Sequence, residues 1–105
     1  MTTPLFRVSV SQRPRDPVEE CRVLRSALST ALREERIESA AAFLERLEIA
    51  DPSEPRWAHQ HGDTLVILGD TDSAKEALGR AAELYRGLGF HSRREVVIER
   101  LRSLL

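Results

Sequence analysis

Laid over itself with an offset of 34 residues, the chain matches: Arg56 falls on Arg22, Gly62 on Leu28, Ala74 on Ala40 and Leu78 on Leu44. A period of this length is that of repeats made of two helices and a turn. In such repeats no unit buries its apolar face alone, and each must stack on a neighbour. The expected fold class is therefore all-α, and the expected role is binding rather than chemistry.

The rest of the composition agrees. A chain of 105 residues with 41% hydrophobic side chains can bury one small core. It has one Trp, one Tyr and three Phe, while Ala, Leu, Glu and Arg dominate, which suits packed helices better than a sandwich or barrel. Cys21 is alone, so neither an internal disulfide nor a four-cysteine zinc site can form. The stretch from Met1 to Val10 lacks the apolar run of a secretory signal, and nowhere do enough apolar residues run together to span a bilayer. The expectation is a cytoplasmic protein with no membrane insertion.

Charge is distributed unevenly about a net of −1. Residues 1–15 carry +3, residues 16–54 carry −5, residues 55–85 carry −2 and residues 86–105 carry +3. All the cations but Lys75 are arginine, a residue whose planar fork suits carboxylates and phosphates. With a sequence pI near 6.3, a strong phosphate-binding footprint is not expected, so nucleic acid is an unlikely partner.

Helical spacing is plain along the chain. Val18, Cys21, Leu24, Leu28, Ala31 and Leu32 recur at steps of three and four from Asp16 to Arg33, with Asp16 as N-cap and Pro17 as first helical residue. A second helix is expected from Ile37 to Ala50, stopping before Asp51-Pro52, and a third from about Arg56 to Leu68. Gly69 closes the third, Asp72 or Ser73 caps a fourth over Ala74 to Leu88, and Gly87 and Gly89 end that one. A fifth begins near Ser92 and carries Val96, Val97, Ile98, Leu101, Leu104 and Leu105.

Counted from Cys21 and Pro55, the second unit has Gly62 at position eight, Gly69-Asp70 at fifteen and sixteen, Ala74 at twenty and Ala81 at twenty-seven. The first has Ala40 at twenty. This resembles the tetratricopeptide repeat, whose small residues at those positions let paired helices approach closely. The resemblance covers about Cys21 to Leu105 and implies repeats at about 21–54 and 55–88, followed by a terminal helix at about 90–105. A plain five-helix bundle is the alternative. The first unit departs from the pattern with Leu28 and Leu47 in place of small residues, and Trp57 sits one position before the aromatic site.

The resemblance further implies a concave face lined by Arg22, Arg25, Ser29, Leu32 and Arg33, then Arg56, His59, Asp63, Val66 and Ile67, then Phe90, Arg93, Val97, Arg100 and Leu101. Positions that hold a partner's terminal carboxylate in some members are here Arg25, Ser29, Gln60, Phe90 and Arg94, a partial match that Phe90 interrupts. So arginine-rich a groove, with Asp63 as its one acid, suits another protein's acidic peptide.

Other signals are weaker. In His59-x-His61-x-Asp63, helical geometry turns residues two apart by about 200°, so only His59 and Asp63 are neighbours and His61 is expected to pack between helices. No metal and no cofactor is expected. Catalytic motifs are absent, Cys21 sits at an apolar position where burial is expected, and the chain is not expected to be an enzyme. Residues 1–16 read as an extended or flexible segment, with Leu5, Phe6, Val8 and Val10 partly alternating ahead of a proline-bearing linker.

Two and a half repeats fall short of the three that such stacks usually need. Leu101, Leu104 and Leu105 look exposed, so this end is expected to pack on a second copy or on a partner. The first expectation is thus an adaptor or scaffold that holds an acidic peptide in a basic groove. The alternative is a structural assembly subunit that self-associates through its apolar helix ends.

Overall fold

The computed structural model describes residues 16–105, and the expected N-terminal segment otherwise lies outside them. Five helices follow one another: α1 (Pro17–Arg33), α2 (Ile37–Ala50), α3 (Pro55–Ile67), α4 (Thr71–Leu88) and α5 (His91–Ser103). Each packs chiefly on the next, α1 on α2, α2 on α3, α3 on α4 and α4 on α5. The result is two helical hairpins and a terminal helix in a row, with no strand among the described residues.

Local chemistry fixes the boundaries. The Asp16 carboxylate accepts the Glu19 N–H at 2.8 Å, and Pro17 fills the first turn, where an N–H would have no helical partner. Helix α3 starts one residue before the expected Arg56, because Pro55 takes the first position and the Glu54 side chain accepts the Arg56 N–H. Helix α4 starts three residues earlier than expected. Its cap is Asp70, which accepts from the Ser73 N–H at 3.2 Å, rather than Asp72 or Ser73. Gly87 lies inside α4, and Gly89 alone ends it, at φ +75°.

The 34-residue period reappears in the backbone. Arg36 N–H donates to the Ala31 carbonyl at 2.8 Å, and Asp70 N–H donates to the Leu65 carbonyl at 3.0 Å, the same closing bond one period apart. Both turns need a left-handed residue before that donor. The second unit uses Gly69 at φ +83°, while the first forces Glu35 to φ +56°. For an L-residue that conformation costs roughly 1–2 kcal/mol.

Two apolar clusters meet at α3. Leu24, Leu28, Ala31, Ala40, Leu44 and Leu47 form one, and Trp57 of α3 completes it. Ala58, Leu78, Ala81, Ala82, Tyr85 and Val97 form the other, against which Ile98, Leu101 and Leu104 pack. Neighbours Trp57 and Ala58 point about 100° apart on the helix, so one turn of α3 feeds both cores. Trp57 thereby locks the two units together.

Helices α3 and α4 touch most intimately at Gly62. A Cβ there would sit 2.5 Å from Leu78 Cγ and 3.3 Å from the Ala74 carbonyl oxygen, and Leu78 is fully buried with nowhere to move. Gly62→Ala should therefore destabilise the chain by about 1–3 kcal/mol. Gly79→Ala meets no atom within 4 Å and should be neutral or stabilising by up to about 1 kcal/mol. Urea midpoints of the two variants check this contrast. Glu35→Gly should raise thermal stability by up to about 1 kcal/mol, since the relief of left-handed strain exceeds glycine's entropy cost. Calorimetry that found it destabilised would count against the strained turn.

Candidate functional site

Helix α3 shares one surface cleft with α1 and another with α5. On α3, Arg56, His59, Gln60, Asp63 and Ile67 recur at steps of three and four, opposite the buried Ala58, His61 and Gly62. His59 and Asp63 line a depression of about 540 Å³ with Val96, Glu99, Arg100 and Ser103 of α5. Its centre is a polar chain. Arg100 Nε lies 3.4 Å from Asp63 Oδ1, Asp63 Oδ2 lies 3.6 Å from His59 Nε2, and His59 Nδ1 lies 3.0 Å from the Tyr85 hydroxyl.

One tautomer satisfies this chain: His59 carries its proton on Nε2 towards Asp63, and Nδ1 accepts from Tyr85. Burial pushes the Tyr85 phenol above its ordinary pKa, against the opposing charge of Arg93, and so keeps the donor in place. His59 also meets Tyr85 edge to face, and Phe90 tilts against the same ring. The Arg93 guanidinium lies 5.8 Å over Phe90. Five helical positions on three helices, and Phe90 at the start of α5, are thus held by contacts that an arginine-rich sequence alone does not reveal.

The expected groove is only partly assembled. Arg25 belongs to it, lining a cleft with Arg56, and Arg56 pairs with Glu54 at 3.1 Å while lying over Trp57. Arg22 turns the other way, into a depression shared with Arg36 and Phe43 of α2. Ser29 and Gln60 are exposed, and Arg33 bonds back to Thr30. Val97 is not a groove residue. It is completely buried against α4, and its neighbour Val96, 60% exposed, takes the place expected for it. Arg94 also leaves the groove, for it is half-buried, reaches towards Glu95, and lies close enough to Glu83 of α4 to favour that carboxylate. Val97 leaves the groove because the packing of α5 on α4 buries it in the second core.

At the expected self-association surface the leucines differ in exposure. Leu101 and Leu104 are half-buried and pack on the second core, leaving only Leu105 exposed. Helical spacing instead places Ser92, Glu95, Glu99 and Arg102 on the side of α5 away from α4, a polar outer face. Cys21, expected to be buried, is half-exposed at the edge of the first core; burial nevertheless raises its thiol pKa, aided by Asp51.

On the opposite side, one carboxylate ties three helices. Glu48 of α2 accepts from Arg80 of α4 at 2.8 and 3.0 Å, and from His61 Nδ1 of α3 at 2.7 Å. His61 is thus packed between helices, and its partner is Glu48 rather than Asp63. No group of three or more potential metal ligands occurs among the described residues. No described helix is long and apolar enough to cross a membrane. In comparisons with known proteins, no family model, curated protein or solved structure matches the chain.

Glu48 makes the joint sensitive to acid. Burial opposes its ionisation, but hydrogen bonds from Arg80 and His61 outweigh that effect and hold its pKa below 4.5. A depressed carboxylate pKa contributes stability that is present above the unfolded value and lost as pH falls through the folded one. Glu48→Gln should therefore cost about 1–3 kcal/mol at pH 7. The gap between variant and wild type should narrow as pH falls below about 4.5. Urea titrations across that range provide the check, and a gap independent of pH would contradict the assignment.

Proposed function

We propose that this chain is a protein-interaction adaptor whose concave face holds an acidic segment of a partner protein. The observation that carries the reading is the row Arg25, Arg56, His59, Arg93 and Arg100 across α1, α3 and α5. Asp51, Glu54, Asp63 and Glu99 lie on the same surface, and of these Glu54 and Asp63 are paired with its arginines. Arg56, Arg93 and Arg100, already held by stacking or ion pairing, lose little freedom on binding, and arginine meets carboxylates with two parallel donors. Exposed Val96 and Ile67 interrupt the charge and give an incoming segment apolar contact. The tetratricopeptide resemblance supports the same reading, because stacked helical hairpins offer extended concave surfaces to partners.

A structural assembly subunit that self-associates is the weaker reading. Its support rests on scattered apolar exposure, with Val18 81% and Leu105 92% accessible, whereas the two leucines nearest the C-terminal end face inward.

The groove reading is tested by titrating the chain with a fluorescent oligoglutamate peptide. Binding is expected at low salt, to weaken as salt rises, and to fall at least about tenfold in an Arg56→Glu, Arg93→Glu double variant. Equal binding by wild type and double variant, or a preference for oligolysine, would overturn it.

A further inference from the structure

At the end of the groove formed by the starts of α1 and α3 lies a cleft of about 280 Å³. Its walls are mainly apolar, from Val18 and Cys21 of α1, Ala50 of α2 and Trp57 of α3. Arg25 and Arg56 also line it, with Asp51 as its single acid. Among the described residues Arg25 has no ion pair or hydrogen bond, unlike Arg56, which is held by Glu54 and stacks on Trp57 at 5.0 Å. The Trp57 side chain is 5% exposed, and its Nε1–H has no partner among the described residues, although a buried donor without an acceptor costs about 1–3 kcal/mol.

From this combination we propose that the cleft is an anchor site for one aromatic or branched apolar side chain of an extended partner segment, with an aspartate or glutamate two residues away. The spacing follows from strand geometry. In an extended chain, residues two apart point to the same side, whereas adjacent ones point to opposite sides. The apolar side chain enters against Trp57, Cys21 and Val18, and the carboxylate two positions along meets Arg25. Apolar burial supplies the affinity and the unpaired arginine the register. The reading rests on the acidic-segment function proposed above and narrows it to an acidic-x-apolar pattern. The cleft also distinguishes one end of the groove, so the segment binds in one direction.

The chain carries its own reporters, because Trp57 is its only tryptophan and Cys21 its only cysteine, and both line the cleft. The probe is an acetylated, amidated peptide with the core Asp-Ser-Phe-Ser-Asp, compared with Asp-Ser-Ser-Ser-Asp. The first peptide is expected to shift Trp57 emission, to slow alkylation of Cys21, and to bind at least about tenfold more tightly than the second. Arg25→Glu should remove that advantage and Arg25→Lys should keep most of it. Equal binding of the two peptides, with Trp57 and Cys21 unchanged, overturns the anchor site but leaves the acidic groove standing. Failure of both peptides to bind at low salt overturns both readings.

Discussion

Everything in this row of helices depends on the close approach of α3 and α4 at Gly62. Leu78 fills the space where a side chain would stand, and the Ala74 carbonyl lies just beyond it. Only because those backbones meet can Ala58 and Tyr85 share one core, and only because Tyr85 reaches under α3 does its hydroxyl find His59. The His59 face of α3 is thus downstream of a packing contact that contains no polar atom of its own beyond the backbone. Where the first unit has Leu28 in place of that glycine, its core holds larger residues and recruits Trp57 from the next unit.

Polar chemistry is divided between the two sides of the row. Glu48 gathers His61 and Arg80 into a satisfied junction, in which removal of any member leaves a half-buried group without its partner. The concave side is less closed. Asp63 lies against Arg100 and His59, Glu54 pairs with Arg56, and Arg25 makes no ion pair among the described residues. A surface in which cations are positioned but incompletely balanced attracts carboxylates and repels basic segments, so selectivity comes from geometry as much as from charge. Exposed ion pairs of this kind add little to folding stability, so their arrangement is free to serve recognition.

Much of the fold was legible in the sequence. The spacing of Leu24, Leu28 and Ala31, the Asp16-Pro17 start and the repeat of Ala40 at Ala74 each encode a local preference that tertiary packing left in place. The start of α4 differs from the expectation of an Asp72 or Ser73 cap, because Asp70 stands just ahead of them and accepts the Ser73 N–H. The site was less legible. Repeat register placed Val97 and Arg94 in the groove, but α5 packs so as to bury Val97 on α4. A signal for this was present in the adjacent pair Val96-Val97, of which only one can face a core. Tyr85 and Glu54 carry no marker of their groove role, since their partners come from other elements or from the cap itself.

The account stands on the concave face of α1, α3 and α5 being the recognition surface. Mapping backbone amide shifts by nuclear magnetic resonance during titration with an acidic peptide tests that most directly. The changes are predicted to cluster at Arg25, Arg56, His59, Asp63, Arg93 and Val96, with α2 and α4 little affected outside Tyr85. Changes centred on Glu45, Ile49 and Arg80, across the opposite face, would contradict it.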